Sequence, residues 1–110
     1  MITRYALFEG QVKTGETTDF RDAVLNRLVP LWRQFPGYLD VRVMFSEERD
    51  EGAPEYPLIL AISYPDRNAM DIALASDARN QSRDVTGQIV AEFFDGHIHH
   101  HVTTAEQYLP

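Results

Sequence analysis

The hydrophobic pattern of the chain changes its period at the motif Phe35-Pro36-Gly37, and this change constrains the fold more than any other feature. Before the motif, apolar residues recur at spacings of 4, 4, 3 and 4, which indicates one face of a helix. These residues are Phe20, Val24, Leu28, Leu31 and Phe35. Proline and glycine end a helix, and residues 38–46, YLDVRVMFS, then alternate as a strand does. The sequence therefore predicts a helix followed directly by a strand, with a kink in the helix at Pro30.

Further strands and helices complete the pattern. Residues 2–9, ITRYALFE, are rich in aromatic and aliphatic side chains and predict the first strand. Residues 58–64, LILAISY, are apolar on both faces, which predicts a central strand. Two helices are predicted to begin at Asp66 and Ser76, and the histidine-rich segment 95–102 is predicted to be the last strand. The order β-α-β-β-α-β predicts the α+β ferredoxin-like fold, an antiparallel sheet with helices on one face.

Length and composition limit the classes of function. A chain of 110 residues with no linker or repeat predicts one domain, residues 1–110. The net charge is −7 and there is no basic stripe, so we expect neither nucleic acid nor a membrane surface as a partner. The absence of cysteine excludes disulfides and thiolate nucleophiles. The first residues do not resemble a signal peptide, and the longest apolar run, residues 58–62, is too short to span a bilayer; a cytoplasmic location is expected.

The strand at 38–46 has two unlike faces, and the second of them predicts a homodimer. The apolar face, expected to pack against helices, comprises Leu39, Val41, Val43 and Phe45. The mixed face comprises Tyr38, Asp40, Arg42 and Met44. Helices cover only one side of a ferredoxin-like sheet, and this mixed set is too apolar to face free water. Two such faces closing on each other would form an α+β barrel and enclose a cavity for a small-molecule ligand.

Several motifs resemble the EthD-like branch of the dimeric α+β barrel superfamily, over roughly residues 1–104. They are Asp19-Phe20, PLWRQFPG at 30–37, ALASDARNQSRDV at 73–85 and FFDG at 93–96. The resemblance implies a homodimer with a small-molecule cavity in each half. It also implies a cofactor-free monooxygenase, a lactone isomerase or an accessory protein of a degradation pathway. Many EthD-like sequences carry a histidine two residues before the proline of the first helix, where this chain has Leu28, so an activity resting on that imidazole does not carry over.

All four histidines of the chain lie in one stretch of five residues, 97–101, inside the last predicted strand. Strand alternation places His97, His99 and His101 on one face, toward the barrel cavity or solvent, and His100 on the other face, toward the helices. Imidazole is the usual proton acceptor at neutral pH, so we predict His99, His97 and His101 as catalytic, with His99 the strongest candidate because it is central in the run. His100 is expected to be neutral and hydrogen-bonded.

The mixed face of the 38–46 strand supplies the predicted substrate-binding residues. Arg42 could hold an enolate or a carboxylate while a histidine takes the proton, and Tyr38 could donate a hydrogen bond to the same oxygen. Asp40 is the expected salt partner of Arg42. This set would suit isomerisation, enolisation or cofactor-free oxygenation. No phosphate-cradling glycine motif is present, so neither flavin nor nicotinamide is expected, and the predicted cofactor is none.

A metal site and a purely polar role are the alternatives for the histidines. The Cα atoms of His97 and His99 should lie about 7 Å apart, which lets two rings converge on one ion. Spacing identifies no third ligand, which would have to be Asp40, a loop carboxylate or a group of the partner subunit, so we expect no metal. Two functions stay open. The chain is either a cofactor-independent enzyme or accessory protein acting on a small cyclic or aromatic metabolite, or a non-catalytic ligand-binding or dimeric interaction module.

Overall fold

Four antiparallel strands form one sheet in the computed structural model, which describes residues 1–110. The strands are β1 (Ile2–Val12), β2 (Asp40–Phe45), β3 (Leu58–Tyr64) and β4 (Phe94–Thr104). They lie in the order β2-β3-β1-β4, and each neighbouring pair is antiparallel. With the helices between β1 and β2 and between β3 and β4, this is the ferredoxin-like order, so the predicted α+β fold class is confirmed.

The helices begin where the sequence provides acceptors for their free amides. They are α1 (Thr17–Ala23), α2 (Val29–Trp32), α3 (Arg67–Leu74) and α4 (Asp77–Phe93). The side chain of Asp66 accepts a hydrogen bond from the Ala69 amide at 2.8 Å, and Ser76 Oγ accepts one from the Arg79 amide at 3.3 Å. Both residues were predicted to open these helices. None of the helices has the length and apolar character needed to cross a membrane.

The kink predicted at Pro30 takes the form of a π-helical turn, Val24–Leu28, between α1 and α2. Within this turn the Val29 amide donates to the Val24 carbonyl oxygen, five residues back instead of four. Proline has no amide hydrogen, so the regular helical ladder loses a donor at Pro30. The wider turn lies immediately before that missing donor and lets the helical segment continue as far as Trp32.

Strand register divides the side chains of the sheet between two faces. The helix face carries Arg4, Ala6, Phe8, Leu58, Leu60, Ile62, Tyr64, Ile98 and His100. The open face, which no helix of this chain covers, carries Thr3, Tyr5, Leu7, Glu9, Asp40, Arg42, Met44, Ile59, Ala61, Ser63, His97, His99 and His101. Pairing of β1 with β4 is continuous from Phe94 to Thr104, so no bulge exchanges these faces.

The core lies between the helix face and the helices. It combines the apolar residues of β1 and β3 with the stripe from the first helical segment, in which Phe20, Val24 and Leu28 are almost fully buried. Three phenylalanines close the end of the core near the start of β4. Phe94 packs edge-on against Phe8, with ring centroids 6.0 Å apart, and stacks on Phe20 at 6.3 Å. Four residues of the predicted stripe, Phe20, Val24, Leu28 and Phe35, belong to this core, whereas Leu31 does not and Trp32 is buried beside it instead.

Gly10 and Gly96 pair with each other where β4 enters the sheet. A Cβ atom on Gly96 would lie 2.1 Å from the Glu9 carbonyl oxygen, and one on Gly10 would lie 2.2 Å from the Asp95 carbonyl oxygen. No side chain fits at either distance, so only glycine lets the two strands approach here. The pair fixes the register that carries His97 beside Glu9.

Candidate functional site

A cavity of about 500 Å³ lies between the helix face of the sheet and α4. Its wall on the sheet side consists of Arg4, Ala6, Phe8, Leu60, Ile62, Tyr64, Ile98 and His100. The opposite wall consists of α4, chiefly Arg79, Ser82, Arg83, Thr86, Gly87 and Val90. Trp32, Phe35, Leu74 and His97 complete the lining. The volume lies in the range of small-molecule sites. The cavity lies within one chain, on the side of the sheet that the helices cover. The sequence predicted a cavity on the other side, enclosed between the open faces of two chains.

The cavity combines an apolar body with a cluster of guanidinium groups. Arg4, Arg79 and Arg83 line it, and none of the 17 acidic residues of the chain does. None of these three arginines takes part in any of the ion pairs of the structure. The lining of this cavity is therefore cationic, although the net charge of the whole chain is −7. An anionic group entering this cavity would meet cations with no competing partner.

The arginines perturb one another. Burial lowers the pKa of Arg4, and repulsion from Arg79 lowers it further. Burial also lowers the pKa of Arg79, with a second contribution from Arg83. Arginine stays protonated under ordinary conditions, so these shifts indicate crowded, partly desolvated cations rather than neutral side chains. A bound carboxylate or enolate would relieve that crowding.

His100 and Tyr64 line the cavity beside the arginines, and each has a shifted pKa. Burial, then the charges of Arg4 and Arg79 and the neighbouring His99, lower the pKa of His100 to about 4. The imidazole is therefore neutral near pH 7, as the sequence predicted, and a neutral ring nitrogen can accept a proton. It makes no hydrogen bond in the chain, so the predicted hydrogen-bond partner of His100 is absent. Burial raises the pKa of Tyr64 to about 12, which keeps its hydroxyl protonated and able to donate.

The histidines predicted to be catalytic lie on the open face and form a row along β4. The ring centroids of His97 and His99 are 5.6 Å apart, and those of His99 and His101 are 5.9 Å apart. Only His97 of the three also reaches the lining of the cavity. Glu9 lies beside the row, with Oε1 3.3 Å from His99 Nε2 and Oε2 3.9 Å from His97 Nε2. The catalytic role assigned to the row stays a prediction.

The predicted substrate-binding residues do not meet these histidines within one chain. Arg42 lies on β2 and His99 on β4, which are the two edge strands of the sheet. Two strands separate them, which corresponds to about 14 Å. Asp40 does pair with Arg42, with Oδ2 3.5 Å from Nη2. The other carboxylate oxygen of Asp40 is buried and has no hydrogen-bond partner in the chain.

Tyr38 does not share the face of Asp40 and Arg42. The strand begins at Asp40, two residues later than Tyr38. The half-buried Tyr38 side chain packs against the core and borders a surface pocket together with Val29 and Pro30. The alternation predicts a strand from residue 38, directly after the turn at Pro36-Gly37, but the strand forms only from Asp40 onward. The predicted pairing of Tyr38 with Arg42 on one oxygen is therefore not formed in this chain.

Arg4, Arg79 and Arg83 were not predicted as site residues, and His100 was assigned a structural role. One signal was available: Arg4 alternates with Ala6 and Phe8, so it occupies a core-facing position of a strand. A cation at such a position needs either a buried carboxylate or an anionic ligand. The position of α4, which supplies Arg79 and Arg83, could not be read from spacing. Leu28, which stands where many EthD-like chains carry a histidine, is fully buried in the core.

These features define a ferredoxin-like α+β domain with an intramolecular, cation-lined cavity, and solved structures share this fold. An EthD family protein from Bacillus halodurans matches with a TM-score of 0.77 at 19% identity, over 96% of this chain and 99% of that one. SnoaB, a cofactor-independent oxygenase from Streptomyces nogalater, matches with a TM-score of 0.64 at 20% identity, over 99% and 96% of the two chains. A dimeric ferredoxin-like protein from Jannaschia matches with a TM-score of 0.65 at 16% identity, over 94% and 98%.

The likeness to the EthD family protein confirms the predicted resemblance at the level of the fold. No protein-family model and no curated protein sequence matches the chain.

Proposed function

We propose that this chain binds a small cyclic or aromatic acid in the cavity between the sheet and α4, and that it acts on this ligand without a cofactor. One observation carries the proposal: a cavity of about 500 Å³ holds three arginines and a neutral histidine but no carboxylate. The apolar walls suit a ring, and the guanidinium groups suit a carboxylate or an enolate. One of the fold neighbours is a cofactor-independent oxygenase, which makes cofactor-free chemistry a consistent choice.

The proposed reaction starts with proton transfer. A ring nitrogen of His100 takes a proton from a C–H bond that a neighbouring carbonyl has activated, and Arg4 and Arg79 hold the enolate oxygen. A ligand anion also offsets the two guanidinium charges beside His100, which raises the pKa of the imidazole and makes it a better base. Return of the proton at another carbon gives an isomerase. Reaction of the carbanion with dioxygen gives an oxygenase, in which the substrate supplies the electrons and the second oxygen atom leaves as water.

The single tryptophan of the chain, Trp32, lines the cavity and can report on ligand binding. We propose titrating the tryptophan fluorescence with 4-isopropylbenzoate and with its neutral analogue 4-isopropylbenzamide. The acid should bind at least about tenfold more tightly, because charge-assisted hydrogen bonds contribute about 1.5–3 kcal/mol. Arg79→Gln should remove this preference, whereas Arg67→Gln, an exposed arginine of α3 outside the cavity, should keep it. Equal binding of acid and amide would contradict the proposal.

A non-catalytic binding module is the second candidate, and the low pKa of His100 favours it. An imidazole with a pKa of about 4 is a weak base until a ligand changes its surroundings. In that case the same acid would bind with the same dependence on Arg79, and it would be recovered unchanged. Proton exchange at the ligand, measured below, separates the two candidates.

We also propose that the chain acts as a homodimer that buries the open face. Leu7 and Ile59 lie opposite each other in the centre of this face and are only half-buried. The buried, unpartnered carboxylate oxygen of Asp40 at the β2 edge needs a donor that this chain does not supply. A fold neighbour from Jannaschia is described as dimeric. Burial against a second copy would cover the apolar centre and provide a donor for Asp40.

A further inference from the structure

We infer that Glu9, His97 and His99 form a binding site for one divalent transition-metal ion, Zn²⁺ by its ligand chemistry, on the open face. The site does not rest on the function proposed for the cavity. The three residues alternate onto the opposite face of the sheet, and His97 alone among them also borders the cavity. Each residue supplies one ligand atom, and these atoms all lie within 4.8 Å of one another. Imidazole nitrogen and carboxylate oxygen are ligands that zinc accepts.

The distance between His99 and Glu9 matches the separation of two ligand atoms on a tetrahedral ion. Zinc binds nitrogen and oxygen at about 2.0–2.2 Å, so two ligand atoms on a tetrahedral ion lie about 3.3–3.6 Å apart. His99 Nε2 and Glu9 Oε1 are 3.3 Å apart, and His97 Nε2 and Glu9 Oε2 are 3.9 Å apart. The longer distance involves His97, whose side chain is 70% exposed and free to rotate toward an ion. Three protein ligands leave one coordination position of the ion open.

The backbone holds the three residues in place before any ion arrives. Glu9 and His97 pair across β1 and β4, and His99 is two residues further along the same strand and on the same face. This arrangement supplies the third ligand that spacing along the sequence could not identify. Ligands on paired strands of a sheet need little reorganisation to bind an ion.

Tyr56 supports the carboxylate from outside the ligand set. Its hydroxyl donates to Glu9 Oε1 at 3.2 Å, and its ring lies 6.1 Å from the ring of His99. A hydrogen bond to a ligating carboxylate orients it and raises metal affinity, and loss of such a partner typically costs about 10–100-fold in affinity. The carboxylate oxygen has a second lone pair, so it can accept the hydrogen bond from Tyr56 and bind the ion at the same time.

The test uses the full chain without a histidine tag, stripped with a chelator and then titrated with Zn²⁺ in competition with a chromophoric chelator. We expect one Zn²⁺ per chain. We expect affinity to fall at least about 100-fold in His99→Ala and in Glu9→Gln, since loss of a ligand should cost no less than loss of a supporting partner. Glu92→Gln, which removes an exposed carboxylate of α4, should bind as the parent does. Tyr56→Phe should weaken binding about tenfold or more.

Titration with Co²⁺ gives a second readout, which reports the coordination geometry of the bound ion. A cobalt ion in a tetrahedral site absorbs visible light strongly, and this absorption should appear in the parent and in Glu92→Gln but not in His99→Ala. Far-ultraviolet circular dichroism of each variant checks that it is folded. Failure of the folded parent to bind Zn²⁺ saturably, or equal binding by Glu9→Gln and the parent, would overturn the inference. Neither result would bear on the cavity, because the arginine-dependent binding of the benzoate is measured separately.

Discussion

His100 and His101 are consecutive residues whose side chains lie on opposite faces of one strand. His100 lines the cavity under α4, whereas His101 stands in the histidine row on the open face, 5.9 Å from the ring of His99. Strand alternation alone produces this separation. Four histidines that look like one cluster in the sequence are therefore two sets with different surroundings: a single ring among arginines, and a row beside Glu9.

The first prediction assigns proton transfer to one of these sets. In deuterium oxide, we expect the chain to catalyse exchange of the benzylic C–H proton of a 2-tetralone carboxylic acid for deuterium. Proton NMR measures the rate of this exchange. His100→Gln should slow this exchange about 100-fold or more, since a positioned general base contributes about 10²–10⁴-fold. If His99→Gln stops the exchange and His100→Gln does not, the open-face histidines predicted from the sequence are the catalytic ones instead. An absence of exchange in the parent, with tight binding of the acid, would favour the binding module.

The second prediction concerns stability and pH. The pKa of His100 is lowered to about 4 in the folded chain, while the unfolded imidazole titrates near 6.5. The unfolded state therefore binds this proton more readily. Well above pH 6.5, His100 makes no pH-dependent contribution to the free energy of unfolding. As the pH falls from about 6.5 toward 4, protonation of the unfolded imidazole lowers that free energy. His100→Gln removes this effect.

Urea unfolding at about pH 7 and about pH 5 measures the difference. The loss of stability between the two pH values should be smaller in His100→Gln than in the parent. Arg67→Gln, which changes an exposed charge away from His100, should lose as much stability as the parent does. Identical losses in the parent and His100→Gln would mean that the imidazole titrates alike in the folded and unfolded chains.

Periodicity was sufficient to predict the order of elements, the sheet faces and the helical stripe, because each depends on residues close together in the sequence. The spacing from Phe20 to Leu28 and the alternation in Val41, Val43 and Phe45 are examples, and all of these residues pack in or against the core. Pro30 likewise predicted a local disturbance of the helix, which is the π-helical turn.

The sites depend on distances that periodicity does not contain. Glu9 approaches His97 only because β1 and β4 pair in one register, across 88 positions of the chain. The cavity depends on how α4 lies over the sheet, which brings Arg79 of that helix near Arg4 of β1. Tyr38 shows the opposite error, since the local alternation predicts a strand that starts two residues before the observed one. Long-range pairing, not local pattern, decided which residues meet.

The third prediction tests the close approach of β1 and β4. Gly96→Ala would place a Cβ atom 2.1 Å from the Glu9 carbonyl oxygen, a backbone atom that cannot move aside without breaking the strand pair. We expect the free energy of unfolding to fall by about 2 kcal/mol or more, measured by urea denaturation. Gly87→Ala is the matched control. No atom lies within 4 Å of its added Cβ, and alanine should stabilise α4 by about 1 kcal/mol. An equal effect at both positions would show that the strands do not approach closely at Gly96.

The fourth prediction concerns assembly through the open face. The parent should sediment as a dimer at micromolar concentration, and Leu7→Lys should shift it to a monomer, because a charge at the centre of the face cannot be buried without a partner. Ile72→Lys changes an exposed apolar residue of α3, on the helical side, and should remain a dimer. The cavity lies within one chain, so monomeric Leu7→Lys should still bind 4-isopropylbenzoate with the arginine dependence of the parent. A monomeric parent would contradict the proposed dimer. A dimer that only Ile72→Lys dissociates would place the contact on the helical side. In either case the unpartnered oxygen of Asp40 would lack the donor assigned to it.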